Sequence, residues 1–182
     1  TSIGGKLAAD SYSALKAGEL YLNGVAVGVS QDVDDTASLK TTAGNAAASA
    51  IAKAAAINRV SDKSGVYARV DTNTVSGQAM VSTAASTGTI TINGITTDSF
   101  ATTTDLAMNR KSVVVAVNAI SRQTGVVAVD TGDDTLGVTL QAADGRNIDV
   151  ETTFVSTSLG IVAGASAAST YACHACANPF AN

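Results

Sequence analysis

Leu20-Tyr21-Leu22-Asn23-Gly24-Val25-Ala26-Val27, followed by Ile57-Asn58-Arg59-Val60-Ser61 and then Gly65-Val66-Tyr67-Ala68-Arg69-Val70, is a pattern that the chain writes twice. The second copy reads Ile90-Thr91-Ile92-Asn93-Gly94-Ile95-Thr96, then Val117-Asn118-Ala119-Ile120-Ser121, then Gly125-Val126-Val127-Ala128-Val129. The Asn-Gly pairs stand 70 positions apart (23 and 93), whereas the helix-end asparagines stand 60 apart (58 and 118). The first copy therefore carries roughly ten extra residues between hairpin and helix. Self-similarity at such a period sets the architecture ahead of any local propensity, because each copy has to solve the same packing problem.

Each copy reads as hairpin, helix, strand. Asn-Gly between alternating apolar residues predicts a two-residue type I′ turn, since both positions tolerate positive φ. Over 45–60, Ala47, Ala50, Ile51, Ala54 and Ile57 fall on one face at 3.6 residues per turn. Lys53, Ser49 and Arg59 fall elsewhere on the wheel. In the second copy Val113, Ala116, Val117 and Ile120 keep that spacing. Its run of valines weakens helix propensity, but the match to the Ala-rich copy favours a helix, with Asn109 as N-cap. Gly65 and Gly125 sit where a helix gives way to a strand through a positive φ. Asn58 and Asn118 occupy one slot in both copies. A catalytic amide is conceivable there, but a buried amide hydrogen-bonded to a nearby loop is the expectation, because buried polar groups find partners.

Outside the copies, Asp10–Lys16 predicts a short helical turn ending at Gly18, and Ala79-Met80-Val81 a strand. Asp144-Gly145, flanked by Leu136–Leu140 and Asn147–Val150, predicts a further type I′ hairpin. Residues 31–44, with Asp32, Asp34 and Asp35, lack the Gly and terminal Glu of a calcium hand and read as a solvated loop. Asp130–Asp134 could hold a cation, but turn chemistry accounts for it. The segmentation is a lead-in over 1–17, repeats over 18–87 and 88–151, and a divergent tail over 152–182. The fold class is α+β: two related subdomains, each a small antiparallel sheet with one packed helix.

Bulk properties narrow the function. The 182 residues carry a formal charge of −4, and only 14% are charged, so the basic stripe of a nucleic-acid binder is not expected. No apolar run is long enough to span a bilayer as a helix. Thr1 does not open a signal peptide, which suits a cytosolic chain, a processed fragment, or export by a route that needs no cleaved signal. With no Trp and 4% aromatics, the core has to be built from Ala and β-branched residues, and an aromatic-lined pocket is not expected. There is no phosphate loop and no His-Glu-x-x-His. The single His, His174, lies in the tail between Cys173 and Cys176. Three ligands fall short of a closed zinc site, and a Cys-x-x-Cys redox pair would lack its usual βαβ setting. A surface loop is the plainer expectation for that segment.

The repeat resembles the one found in the outer domains of bacterial flagellins and in the filament cap and other hook-associated proteins. Gly18–Val25, Ile57-Asn58 and Gly65–Ala68 carry it in the first copy. Val113–Ile120, Thr124–Ala128 and Leu140–Ile148 carry it more closely, so that the resemblance covers about 18–150. It implies a structural, extracellular part of the flagellar filament with no catalysis, no cofactor and no metal. Its partners would be other flagellin subunits, met through terminal segments that show no sustained heptads here, and the isolated chain would be monomeric, with no nucleic acid or membrane partner. Hydroxyl glycosylation would fit the family, while no Asn-x-Ser/Thr acceptor is present. Two other readings are a binding module, adhesin-like or cap-derived, for a glycan or partner protein, and a metal-dependent enzyme centred on the tail.

Overall fold

The computed structural model describes residues 13–39 and 46–163, and the backbone of 2–3 and 171–174. In chain order the elements begin with β1 (Ser2–Ile3), β2 (Tyr21–Leu22), β3 (Val25–Ala26), α1 (Ala50–Asn58), α2 (Ser61–Ser64) and β4 (Tyr67–Val70). There follow β5 (Asn73–Val75), β6 (Thr87–Gly88), β7 (Ile90–Ile92), β8 (Ile95–Thr96) and β9 (Phe100–Ala101). The chain continues with α3 (Leu106–Ala119), α4 (Ser121–Thr124), β10 (Val127–Asp130), β11 (Val138–Ala142), β12 (Val150–Thr152), α5 (Ser156–Leu159) and β13 (Tyr171–His174). The protein is α+β, its strands antiparallel, and it divides into two compact units. One comprises Thr1–Thr72, Asp144–Asn147 and Ala168–Asn182, the other Asn73–Ala143 and Ile148–Ala167.

The units repeat one wiring plan. In the first unit the sheet order is β1-β13-β4, with α1 packed on β4; in the second it is β10-β11-β5, with α3 packed on β10. The registers match: Ala68 faces Cys173 across the first sheet as Ala128 faces Leu140 across the second. In the second unit the partner strand β11 follows β10 directly. In the first unit the partner, β13, arrives about a hundred residues later, near the end of the chain. The second repeat is thus inserted in sequence between two paired strands of the first. Tyr171–His174 is accordingly a sheet strand and not a surface loop, because β4 exposes a row of backbone donors and acceptors that have to be paired.

Both Asn-Gly turns form as expected, with Asn23 at φ 50° and Asn93 at φ 48° and each following Gly also positive. Each asparagine amide reaches the end of its own repeat's short second helix. Asn23 Nδ2 donates to the Ser64 carbonyl at 2.7 Å, and Asn93 Nδ2 to that of Thr124 at 3.2 Å. The helix-end asparagines clamp the next strand. Asn58 Nδ2 donates to Ala68 O (2.9 Å) and its Oδ1 accepts from Ala68 N (2.8 Å). Asn118 does the same to Ala128, at 3.1 and 2.8 Å. Between helix and strand, Gly65 (φ 68°) and Gly125 (φ 71°) occupy the left-handed region, where a side chain would be strained.

Cores differ in grain. Around α1 the packing uses Ala54, Ala56, Ile57, Val66 and Ala68; around α3 it uses larger groups, among them Ile90, Ile92, Val113, Val117 and Leu140. The valines of α3 remain helical because Val113 and Val117 are fully buried, and burial outweighs the small propensity cost.

Four local expectations are corrected. The N-cap of α3 is Asp105, whose side chain accepts from Met108 N at 3.1 Å, and not Asn109. Asn109 is buried one turn in and bonds Thr103 N and O. Ser13–Lys16 contains no helix; Asp10–Tyr12 lies outside the described residues. Ala79–Val81 is not a strand. Its amides leave in different directions, Met80 N to Asp134 O and Val81 N to Thr157 O. Gly77 passes so close to Leu136 and Gly160 that a Cβ would stand 2.3 Å from the Leu136 carbonyl oxygen. Asp144-Gly145 does not close a hairpin: β11 pairs with β10 and β5, whereas β12 pairs with β7. Of the two turn residues only Gly145 has positive φ, and a type I′ turn needs both.

Removing a clamp should weaken its own repeat. Asn118→Ala leaves the buried backbone of Ala128 without two partners, at a cost of about 2–4 kcal/mol. Asn118→Asp should cost less, since it keeps the acceptor. Urea unfolding followed by circular dichroism measures both; equal stability of all three proteins contradicts the assignment. Gly125→Ala should cost on the order of 1 kcal/mol through its left-handed φ alone, read in the same experiment.

Candidate functional site

The acidic stretches turn inward on the protein's own cations. Arg110 is 5% exposed, and its Nε donates to Asp130 Oδ1 at 2.7 Å while its Nη1 donates to Asp134. Asp130 also accepts from Gly132 N, and Asp133 from Thr135 N and Oγ1. Asp130–Asp134 is therefore a turn wrapped on a buried guanidinium, which is costly to leave unpaired. Burial pushes the Asp130 carboxyl up, but the Gly132 and Arg110 hydrogen bonds and the charges of Arg110 and Lys111 bring it below its ordinary value. Hydrogen bonds from Thr135 likewise lower Asp133. Sequence reasoning missed Arg110; the available signal was its place between the buried Asn109 and Val113 on the inward face of α3.

In the first unit Asp34 is one of the residues of a 3-10 turn, Asp32–Asp34, and receives Arg59 Nη1 on both oxygens at 2.8 Å. Asp35 is fully buried. Its Oδ1 accepts from Ala37 N and Ser38 N, and its Oδ2 has no partner among the described residues. Residues 31–39 are therefore folded against the unit rather than wholly solvated. Lys53, placed off the apolar face by the helical wheel, is half-buried, and desolvation pushes its ammonium pKa down.

Asn58 and Asn118 are consumed by their clamps, so neither amide is available to a substrate; the partner in each case is a strand and not a loop. Cys173 and His174 belong to the backbone of β13, and Cys176 lies outside the described residues. Among the described residues no three His, Cys, Asp or Glu side chains cluster as a metal site, and no helix is long and apolar enough to cross a membrane.

A concave feature of the second unit is an open groove of about 720 Å³ between the outer face of α3 and the segment Ile95–Phe100. Met108, Val115 and Ala116 line the helix side, Ile95 and Phe100 the other. Phe100 is held by Phe154, with ring centroids 4.9 Å apart and planes tilted by 41°. The groove's ionisable side chains, Asp98 and Lys111, are both exposed to water. A wet, largely apolar trough of this kind can recognise a partner by apolar burial and hydrogen bonding; it lacks the water exclusion that strengthens acid–base and electrostatic catalysis. No family model matches the chain, and no curated protein sequence does.

The Arg110 cluster makes stability depend on acid. Asp130 binds its proton less tightly folded than unfolded, so protonation favours the unfolded chain. The contribution is complete above the ordinary carboxyl value of 3.8 and is lost as pH falls through the lower folded value. Asp130→Asn should cost on the order of 2 kcal/mol at pH 7, as for a hydrogen bond to a charged group, and the gap to the parent should narrow in acid. Urea titrations across pH 2–7 (about this range) check it; a gap that stays constant with pH overturns the assignment.

Proposed function

We propose that the chain is a surface-exposed outer domain of a bacterial flagellar filament subunit, a structural part of the filament that performs no catalysis. The observation that carries this reading is the duplicated hairpin–helix–strand unit, with its matched asparagine clamps, on the residues whose pattern resembles the flagellin repeat. A module built twice from short strands presents many of its threonines to water. Its partners in the filament would be other flagellin subunits, engaged through segments outside this chain, and its location would be extracellular. The runner-up reading, a binding module related to a filament cap or an adhesin, is favoured by one feature, the open groove along α3.

Antibodies raised against the purified chain, applied to unpermeabilised cells of the source bacterium, should decorate flagella along their length, and sheared filaments should carry the antigen. Label confined to filament tips would favour the cap reading. Label absent from sheared filaments and retained in the cell body would overturn both.

A further inference from the structure

The chain holds two Asn-Gly pairs, Asn23-Gly24 and Asn93-Gly94, in turns of the same kind. At such a pair a backbone amide nitrogen can attack the preceding side chain, because glycine has no Cβ to hinder the approach. The two pairs share one backbone conformation, with Asn23 at φ 50° and Asn93 at φ 48°. Their side chains are held differently. Asn93 is half-buried and tied by three hydrogen bonds: its Oδ1 accepts from Asp149 N at 2.8 Å, its Nδ2 donates to Thr124 O at 3.2 Å, and its own N donates to Asp149 O at 3.0 Å. Asp149 stands there because β12 runs beside β7 as a third strand. β2 and β3 form a two-stranded sheet, with no such neighbour among the described residues. Asn23 is exposed, and among the described residues its side chain makes one bond, from Nδ2 to Ser64 O at 2.7 Å. Gly24 is exposed too, with open space where a Cβ would stand.

We propose that Asn23 is a site of spontaneous deamidation, and that Asn93, in the same dipeptide and the same turn, is protected by Asp149. In the reaction the Gly24 nitrogen attacks Asn23 Cγ. The new C–N bond closes a succinimide ring, the Cγ–Nδ2 bond breaks, and ammonia leaves with the proton from the Gly24 nitrogen. Water then opens the ring at either carbonyl, giving aspartate or isoaspartate; nothing is oxidised or reduced. Ring closure requires Cγ to swing onto the nitrogen of the next residue, so the bonds that hold the asparagine have to be released first. At Asn93 that means the Asp149 pair as well as the Nδ2 bond, and the shorter Nδ2 contact at Asn23 does not offset the two bonds it lacks. The product alters the first repeat at a defined place. A carboxylate oxygen meets the Ser64 carbonyl where a donor stood, and isoaspartate adds a backbone atom to the two-residue turn that sets Leu22 opposite Val25. The hairpin of the first repeat is thereby untied from the end of α2, whereas that of the second repeat keeps its hold on α4.

The test keeps the full, folded chain in mildly alkaline buffer and follows each Asn-Gly peptide with time by mass spectrometry, with the isoaspartyl form separated. Asn23 should convert about ten-fold faster than Asn93, as for a difference of one hydrogen bond in activation free energy. In denaturing urea the two should convert at similar rates, since both are then Asn-Gly in an open chain. Equal rates in the folded chain, faster conversion at Asn93, or a ratio that persists in urea overturns the proposal. So does a folded chain whose Asn23 stays intact while the unfolded chain converts. Asn23→Asp, which carries the ordinary product from the start, should exchange the amides of 20–27 about five-fold faster, as for one lost hydrogen bond, with 90–97 unchanged as evidence of an intact second repeat. Unaltered exchange at 20–27 overturns the consequence assigned to the modification. Because only the isolated chain is used, the result is independent of whether the filament reading holds.

Discussion

A side-chain amide that mimics a strand neighbour holds each repeat together. Asn58 and Asn118 each present a donor and an acceptor to the backbone of a single alanine, as the next strand of a sheet would. The clamp ties the C-terminal end of the helix to the strand after it, and so fixes how the helix crosses the sheet. It also explains the turn between them. The chain has to reverse within a few residues, so a short second helix and a left-handed glycine follow each asparagine. The hairpin asparagines, Asn23 and Asn93, then bond to the end of that short helix and bring the hairpin to the same corner. Hairpin, helix end and strand are thus held by side-chain amides of a few asparagines, whose desolvation is affordable only because every buried amide group in the clamp has a partner.

Charge follows a similar economy. The chain has few ionisable groups, and several of the acidic residues that look on paper like ligands for a cation are arranged around arginines. Asp130 and Asp134 hold Arg110, Asp34 holds Arg59, and Asp144 holds its near neighbour Arg146. Arg110 differs from the other two arginines in being buried, so its partners preserve the fold where an exposed pair would contribute little. Duplication does not make the two helices equally buried: Met108 of the second repeat is exposed where Ala48, its counterpart in the first, is buried.

The repeat, both Asn-Gly turns, the two helices, the left-handed glycines and the structural use of Asn58 and Asn118 were all legible in the residues. Each depends on local geometry: a two-residue turn that needs positive φ, an apolar face at helical spacing, and a polar side chain on the edge of that face. The boundaries of α3 were less legible, because Asp105 and Asn109 both carry a capping side chain and only the packing of Asn109 against Thr103 and Ser158 separates them. The groove was not legible at all. Its helix-side residues look like an ordinary solvent face in sequence, and it exists only because the segment Ile95–Phe100 folds alongside α3.

By itself the sequence determined that this is an α+β chain made of one motif used twice, since periodicity and turn chemistry act over a few residues and repeat wherever the residues repeat. Only the tertiary structure decided how those pieces pair. It placed Tyr171–His174 beside Tyr67–Val70, sent β11 and β12 to different sheets, and drew 76–81 into an irregular path past Gly160. Strand pairing at long separation is chosen by which unpaired backbone edge and which core face remain open once local structure has formed, and no short stretch of residues contains that information.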